Sequence, residues 1–260
     1  MTITTIEGPE GGLVCAATDG ETWQPPVIFV HADCGRRSQW RHAVAHLSGK
    51  RGSVTFDRRG HGESDLPKSG EFDHAACCAD IDAITNGLAM EKFVLVGHSG
   101  GGALAYTYAA TRPAHVAGLL LVDPPVDASV TPDEEWQTQL VALRGSSYAD
   151  AISAYFASIA GTDVSVVDEV VHDARATLQP TIIGAVESAS TFHPHDLADQ
   201  YVGPRLSIVQ SKFDGPTAIH RAGAGFTHTV VDGAGHWIQL TAAERFHALL
   251  DAFLAEVDMA

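Results

Sequence analysis

Six short β-rich runs set the frame of this chain: Val27–Val30, Ser53–Phe56, Phe93–Val96, Leu119–Val122, Leu206–Val209 and Thr227–Val231. Each is bounded by turn residues and is mostly apolar on both faces. A strand that meets water on one face alternates, so runs of this kind call for a parallel sheet covered by helices on both sides. The intervening segments are long enough for crossover helices, and His74–Met90, Ala103–Thr111 and Ala242–Val257 carry helical spacing, the last with Thr241 placed to cap it.

The alternation breaks once. From Val126 to Tyr201 no convincing strand appears, and the pattern is instead that of short helices, among them Pro132–Leu143, Tyr148–Ile159 and Pro180–Ser190. The expected division is a core of residues 1–125 and 204–260 with a helical cap inserted at 126–203.

Composition narrows the partners. The chain has 16 basic against 32 acidic residues among its 260, a formal charge of -16 that repels phosphate backbones and anionic headgroups. The expectation is therefore a small-molecule substrate, with no nucleic acid and no membrane. The N-terminal "MTITTIEGPEGG" lacks a basic region followed by an apolar run, and no stretch reaches the ~18 apolar residues of a membrane helix, which predicts a cytoplasmic protein. Cys15, Cys34, Cys77 and Cys78 show neither metal spacing nor a disulfide framework and are expected to be reduced thiols. Nothing in the sequence points to a particular oligomeric state.

"KFVLVGHSGGGALAY" places Gly97-His98-Ser99-Gly100-Gly101 between an apolar strand and a helix. A serine on such a turn sits in strained backbone geometry with its hydroxyl above the sheet, and small flanking residues let strand and helix approach closely. The five-residue pattern alone is weak, because "GESDL" at Gly62 nearly completes it by chance. The strand and helix on either side give it weight.

With "VGHSGG" stand "VTFDRRGHGESDLP", "LLLVDPP", "RLSIVQSKFDGP" and "VVDGAGHWIQLTAAERF", in that order. On these pieces the chain resembles the α/β-hydrolase family over nearly its whole length. The resemblance implies an α/β fold with an eight-stranded, mostly parallel sheet, helices on both faces and a helical cap after the sixth strand.

Attack by a hydroxyl at neutral pH needs a base, and the base needs an acceptor that fixes its tautomer. Among 14 histidines, His236 follows the last strand on a glycine-rich loop and precedes the last helix, which selects it as the base of Ser99. The expected acid is Asp214, just past "RLSIVQ", in the chain order Ser99, Asp214, His236 that the fold expects. Asp123, which ends "LLLVD", is its rival.

A serine nucleophile suits attack on a carbonyl, whereas alkyl transfer from haloalkanes and epoxides calls for an aspartate. The expected activity is hydrolysis of a carboxylic ester through an acyl-enzyme, with no metal and no organic cofactor. Lactone, thioester or carbon–carbon hydrolysis by the same groups is the alternative, with peracid formation as a side activity. A small-molecule binding or signalling module on this fold is the reading from another class.

Three constellations carry plainer readings. "FDRRGHGESD" gathers Asp57, Arg58, Arg59 and His61 in a loop that the resemblance makes architectural. In "TFHPHDL", His193 and His195 lack a third ligand at recognisable spacing, and Pro194 suggests a turn. Trp136, Tyr148, Tyr155, Phe156 and Phe192 offer lining for an apolar pocket, although amphipathic packing accounts for most such residues.

"VIFVHADCGRR" remains. The resemblance makes His31 structural, puts Ala32 where the family usually has glycine, and assigns the oxyanion-hole amides to Asp33 and Gly100. The Asp33 carboxylate would oppose a developing oxyanion, so it must turn away, pair with Arg36 or Arg37, bind a polar part of the substrate, or hold a proton.

Overall fold

The computed structural model describes residues 1–20, 24–221 and 225–260. The described strands are β1 (Thr2–Glu7), β2 (Gly12–Thr18), β3 (Val27–Val30), β4 (Ser53–Phe56), β5 (Phe93–His98), β6 (Val116–Val122), β7 (Arg205–Val209) and β8 (Thr227–Val230). They form one sheet in the order β1-β2-β4-β3-β5-β6-β7-β8. β1 and β2 run antiparallel to their neighbours, and every other pairing is parallel. This is the expected α/β fold with an eight-stranded, mostly parallel sheet.

Alternation along each strand builds a core on either face. Ile28 and Val30 of β3 join Leu95, Leu119 and Leu121 under α2 (His74–Gly87) and α3 (Gly100–Thr111). Val27 and Phe29 point the other way, joining Val94, Val96, Leu120 and Val122 under α1 (Arg41–Leu47) and α9 (Ala243–Met259). All four β3 side chains are fully buried. Each is worth about 1.5–3 kcal/mol relative to exposure, so the apolar runs are the main adhesive of the sheet.

Between β6 and β7 the chain forms no strand. It makes α4 (Asp133–Arg144), α5 (Tyr148–Ile159), α6 (Val164–Ala176) and α7 (Gln179–Ala189), of which the spacing singles out α4, α5 and α7. Their buried residues Leu143, Ile152, Phe156, Val170 and Ile182 form a third core with Cys34, after β3, and with Trp237 and Leu240, at the short helix α8 (Ile238–Thr241).

Some boundaries differ from the sequence reading. α2 stops at Gly87, where Ala89 takes the left-handed conformation, and α9 is preceded by Ala242 with no side-chain cap from Thr241. None of the described helices is long and apolar enough to cross a membrane.

Candidate active site

From β3 the chain moves to β4 on one side and, later, to β5 on the other. That divergence opens a crevice at the carboxyl ends of the strands, the usual ligand position in an open α/β sheet. Ser99 sits there, between the last residue of β5 and the first of α3. Its φ of 52° and ψ of -125° are costly for a residue with a Cβ, by about 1–3 kcal/mol. The surroundings enforce them. Ser99 donates its backbone N–H to the Val122 carbonyl at 3.0 Å, and its own carbonyl accepts from Gly102 at 2.7 Å. A Cβ on Gly97 would come within 2.3 Å of the Gly101 carbonyl oxygen, and one on Gly101 within 2.3 Å of the His31 carbonyl oxygen. The motif glycines are therefore a requirement of contact between strand, helix and neighbouring loop.

His236 is buried, and its Nδ1 lies 2.7 Å from Asp123 Oδ2. With the carboxylate as acceptor, Nδ1 carries the proton and donates, which leaves Nε2 with its lone pair as an acceptor. Asp123 ends the β6 run with φ 43° and is fully buried. Its carboxylate also accepts from the Gln210 backbone N–H at 3.0 Å and from Gln210 Nε2 at 2.7 Å. Three donors satisfy a carboxylate that would otherwise be too costly to bury.

The expected role of Asp214 is thereby corrected. Its Oδ1 lies 3.1 Å from His220 Nε2 and accepts from Arg221 Nη2 at 2.8 Å, away from His236. The cause lies in the turn Ser211–Phe213: it spends the reach past β7 on a 3-10 turn, which brings the Phe213 ring to 5.7 Å from the His236 ring. Asp123, by contrast, leaves its strand directly beside Ser99, whose N–H bonds the preceding Val122 carbonyl. Hydrogen bonds from Arg221 and His220 hold the Asp214 carboxyl below the usual carboxylate range despite the opposing effect of desolvation.

Asp214, His220 and His228 also place ligating atoms within 4.8 Å of one another. The His220 and His228 rings are stacked at 4.3 Å, and Arg221 occupies the Asp214 oxygen, so the arrangement is that of an ion-paired cluster. The His193–His195 pair behaves as a turn. His193 Nδ1 lies 3.2 Å from Asp127 Oδ1, and His195 is exposed.

The second residue of the motif, His98, braces the His236 loop. Its Nε2 donates to the His236 carbonyl at 2.9 Å, and its Nδ1 accepts from Gln239 Nε2 at 3.2 Å. Burial, with His236 nearby, drives the His98 pKa well below its ordinary value, so the neutral ring that this pattern needs is the stable one. The inserted helices hold the same loop, because His236 donates its backbone N–H to Ile159 at the end of α5 at 2.9 Å. Trp237 Nε1 then donates to Gln39 Oε1 at 3.1 Å, and Gln39 Nε2 to Asp173 of α6 at 2.9 Å.

On the other side of β5, the backbone N–H groups of Asp33 and Gly100 donate no hydrogen bond among the described residues. Two histidines fix the Asp33 loop. His31 Nε2 accepts from the Arg58 N–H at 2.9 Å while its Nδ1 donates to Ala32 O at 2.7 Å. His61 Nε2 accepts from the Cys34 N–H at 3.1 Å while its Nδ1 donates to Arg59 O at 2.9 Å. Both rings must be neutral to do this. Burial, with His61 and Arg58 nearby, pushes His31 well below its ordinary value, and burial with Arg58 pushes His61 to about 4. The "FDRRGHGESD" loop is thus architectural: buried Asp57 pairs with Arg37, and Arg59 grips Asp80 in a two-pronged ion pair.

Arg36 and Arg37 are engaged elsewhere, with Asp173 and with Asp57 and Glu63. The partner of Asp33 is Arg58, at 2.7 Å. The four cysteines are buried and free. Burial, reinforced by Asp33, raises the Cys34 thiol far above its ordinary pKa, which removes the reactive form. Of the inserted aromatic residues, Phe156 and Phe192 are buried, while Tyr155 is 56% exposed.

A model of the alpha/beta hydrolase fold matches residues 25–161, more than half of the chain. The chain belongs to the α/β-hydrolase family. It is similar to a non-heme chloroperoxidase of Streptomyces lividans, 34% identical over 151 residues that make up 52% of this chain and 54% of that one. It is also similar to epoxide hydrolase 4 of Mus musculus, 33% identical over 107 residues, 41% of this chain and 30% of that one. The α/β-hydrolase chain thus spans about half the length of the first relative and less of the second. Among solved structures, a thermophilic esterase from Thermogutta terrifontis superposes with a TM-score of 0.85 at 20% identity, covering 99% of both chains. The enol-lactonase from Burkholderia xenovorans LB400 gives 0.85 at 19% identity, covering 97% of this chain and 100% of that one. At these identities the likeness is one of fold.

Gln210, Gln239 and the Arg58 partnership with Asp33 are the site features that the sequence reading does not anticipate. "LLLVDPP" carried one usable sign: an acid at the very end of a buried apolar strand has no other way to be satisfied than by donors at the strand tips.

Proposed function

We propose that this α/β-hydrolase cleaves carboxylic esters with Ser99 as nucleophile, His236 as general base and acid, and Asp123 in place of Asp214 as the residue that orients the histidine. The observation that carries the reading is the 2.7 Å contact between His236 Nδ1 and the buried Asp123 carboxylate at the tip of the strand beside the nucleophile. A solvent-shielded carboxylate with its lone pairs filled holds the imidazole in one tautomer and stabilises its cation as the proton arrives.

Ser99 Oγ attacks the ester carbonyl as its proton passes to His236 Nε2. The carbonyl oxygen becomes an oxyanion held by the Asp33 and Gly100 N–H groups, the latter at the positive end of α3. His236 then gives the proton to the departing alcohol, and water repeats the cycle on the acyl-enzyme. The helices of 126–203 serve as a cap, a role supported by the α5 hydrogen bond to the His236 loop and by Phe156 packing on Trp237 at 5.6 Å. The substrate is a small molecule, and no nucleic acid or membrane partner fits a charge of -16.

A panel of p-nitrophenyl esters of increasing acyl length, with a fluorophosphonate probe for Ser99, tests the proposal. Short esters should turn over, the probe should label Ser99, and Ser99→Ala should abolish both, with a rate loss of at least about 10³-fold. Equal turnover by Ser99→Ala overturns the proposal.

A further inference from the structure

The two flanks of the nucleophile strand differ in kind. Toward β6 lie His236 and Asp123, the groups that serve the leaving alcohol; toward β3 lies Asp33. Asp33 uses one carboxylate oxygen, Oδ1, for Arg58 Nη1 at 2.7 Å. Oδ2 accepts no hydrogen bond among the described residues and lies against Gly100: a Cβ on that glycine would be 2.0 Å from it. Arg58 is buried, with 7% of its side chain exposed, whereas Asp33 keeps 23%, so the carboxylate is anchored from behind and open in front.

A free carboxylate oxygen beside an oxyanion-hole amide raises the energy of the developing oxyanion. Arg58 offsets part of that effect. A hydrogen-bond donor on the substrate would offset more, and it would have to sit close to the carbonyl, on the side away from the histidine. That side carries the acyl chain.

Resting on the ester-hydrolase reading, we infer that Asp33 Oδ2 selects esters whose acyl group bears a hydroxyl or ammonium donor one or two bonds from the carbonyl carbon. A plain acyl chain leaves that oxygen unpaired in the closed site, and sites built around a polar partner reject analogues that lack it. The donor contact is made as the carbonyl seats in the hole, so it acts on kcat/KM.

Ethyl 2-hydroxybutanoate, ethyl 2-aminobutanoate, ethyl butanoate and 2-hydroxyethyl butanoate, compared by pH-stat, provide the test. For the wild type, kcat/KM should be at least about tenfold higher for the hydroxy or the amino ester than for ethyl butanoate. In Asp33→Ala the ratio should fall to about one, and Asp33→Asn should abolish the ammonium preference while keeping part of the hydroxyl preference. Fluorophosphonate labelling of Ser99 in each variant reports that the machinery is assembled. Equal rates on the butanoate esters in the wild type, a ratio unmoved by Asp33→Ala, or a preference for the hydroxylated alcohol in 2-hydroxyethyl butanoate would each overturn the inference while leaving the hydrolase reading intact. No turnover of any ester, with Ser99 unlabelled, overturns both.

Discussion

Asp123 and Asp214 each follow a buried parallel strand, and each has a histidine within hydrogen-bonding distance. They differ in how far each lies past its strand. Asp123 is the next residue after β6, fully buried, with donors from Gln210 and His236 fixed around it. Asp214 comes after a further turn, keeps 23% of its side chain exposed, and is held by the flexible end of Arg221. Burial with complete hydrogen bonding makes one carboxylate a fixed electrostatic element, while the other forms an ordinary ion pair at the rim. Chain order does not separate them; the distance from the strand end does.

The largest effect that can break this contrast is exchange of one acid for its amide. Asp123→Asn should lower kcat by about 10³- to 10⁴-fold on p-nitrophenyl acetate, because the amide can turn its NH₂ toward His236 and reverse the tautomer. A loss of that size in Asp214→Asn instead would return the triad to its expected order.

The contrast between buried and rim groups extends to the histidines and appears as a pH dependence of stability. Burial holds His61 at about 4 in the folded state, against an ordinary value near 6.5. The unfolded chain therefore takes up the proton first. Its contribution is fully present above pH 6.5 and is lost as pH falls toward 4, by about 1.4 kcal/mol per pH unit. His31 and His98, displaced in the same direction, add to the loss. Urea unfolding at pH 7 and pH 5 should show the drop, and His61→Gln should reduce the slope.

A smaller effect sharpens the role of the donors around Asp123. Gln210→Leu removes the side-chain hydrogen bond at 2.7 Å but keeps the backbone one, and should lower kcat about tenfold with KM little altered. Stopped assays on one ester measure both constants. The smallest effect belongs to Asp214→Asn, expected to keep turnover within about twofold, as for a partly exposed ion pair.

Five of the six runs, all but the edge strand β8, were legible as strands because burial on two sides leaves no alternation to misread. β1 and β2 were not among them: β1 reads "TITTIE" and is mostly exposed, so it lacks the apolar run that marks a buried strand. α6 was missed for the opposite reason, since "VSVVDEVVHDARA" is rich in β-branched residues and helical only where Val166, Val170 and Ala174 find a core. Ser99 and His236 could be placed from local patterns at strand ends. The acid could not, because which aspartate meets His236 depends on the course of the turn after β7, and Gln210 becomes meaningful only once Asp123 stands beside it.

Asp123 has one further property: Pro124 and Pro125 follow it, and the chain then enters the inserted helices. The root of the insertion is thus pinned, by the Asp123 N–H to the Ile208 carbonyl at 2.7 Å and by two residues whose rings restrict rotation. Any swing of those helices that keeps the His236 contact intact must pivot beyond Pro125. The carboxylate beside His236 is therefore anchored to the sheet and stands apart from the inserted helices.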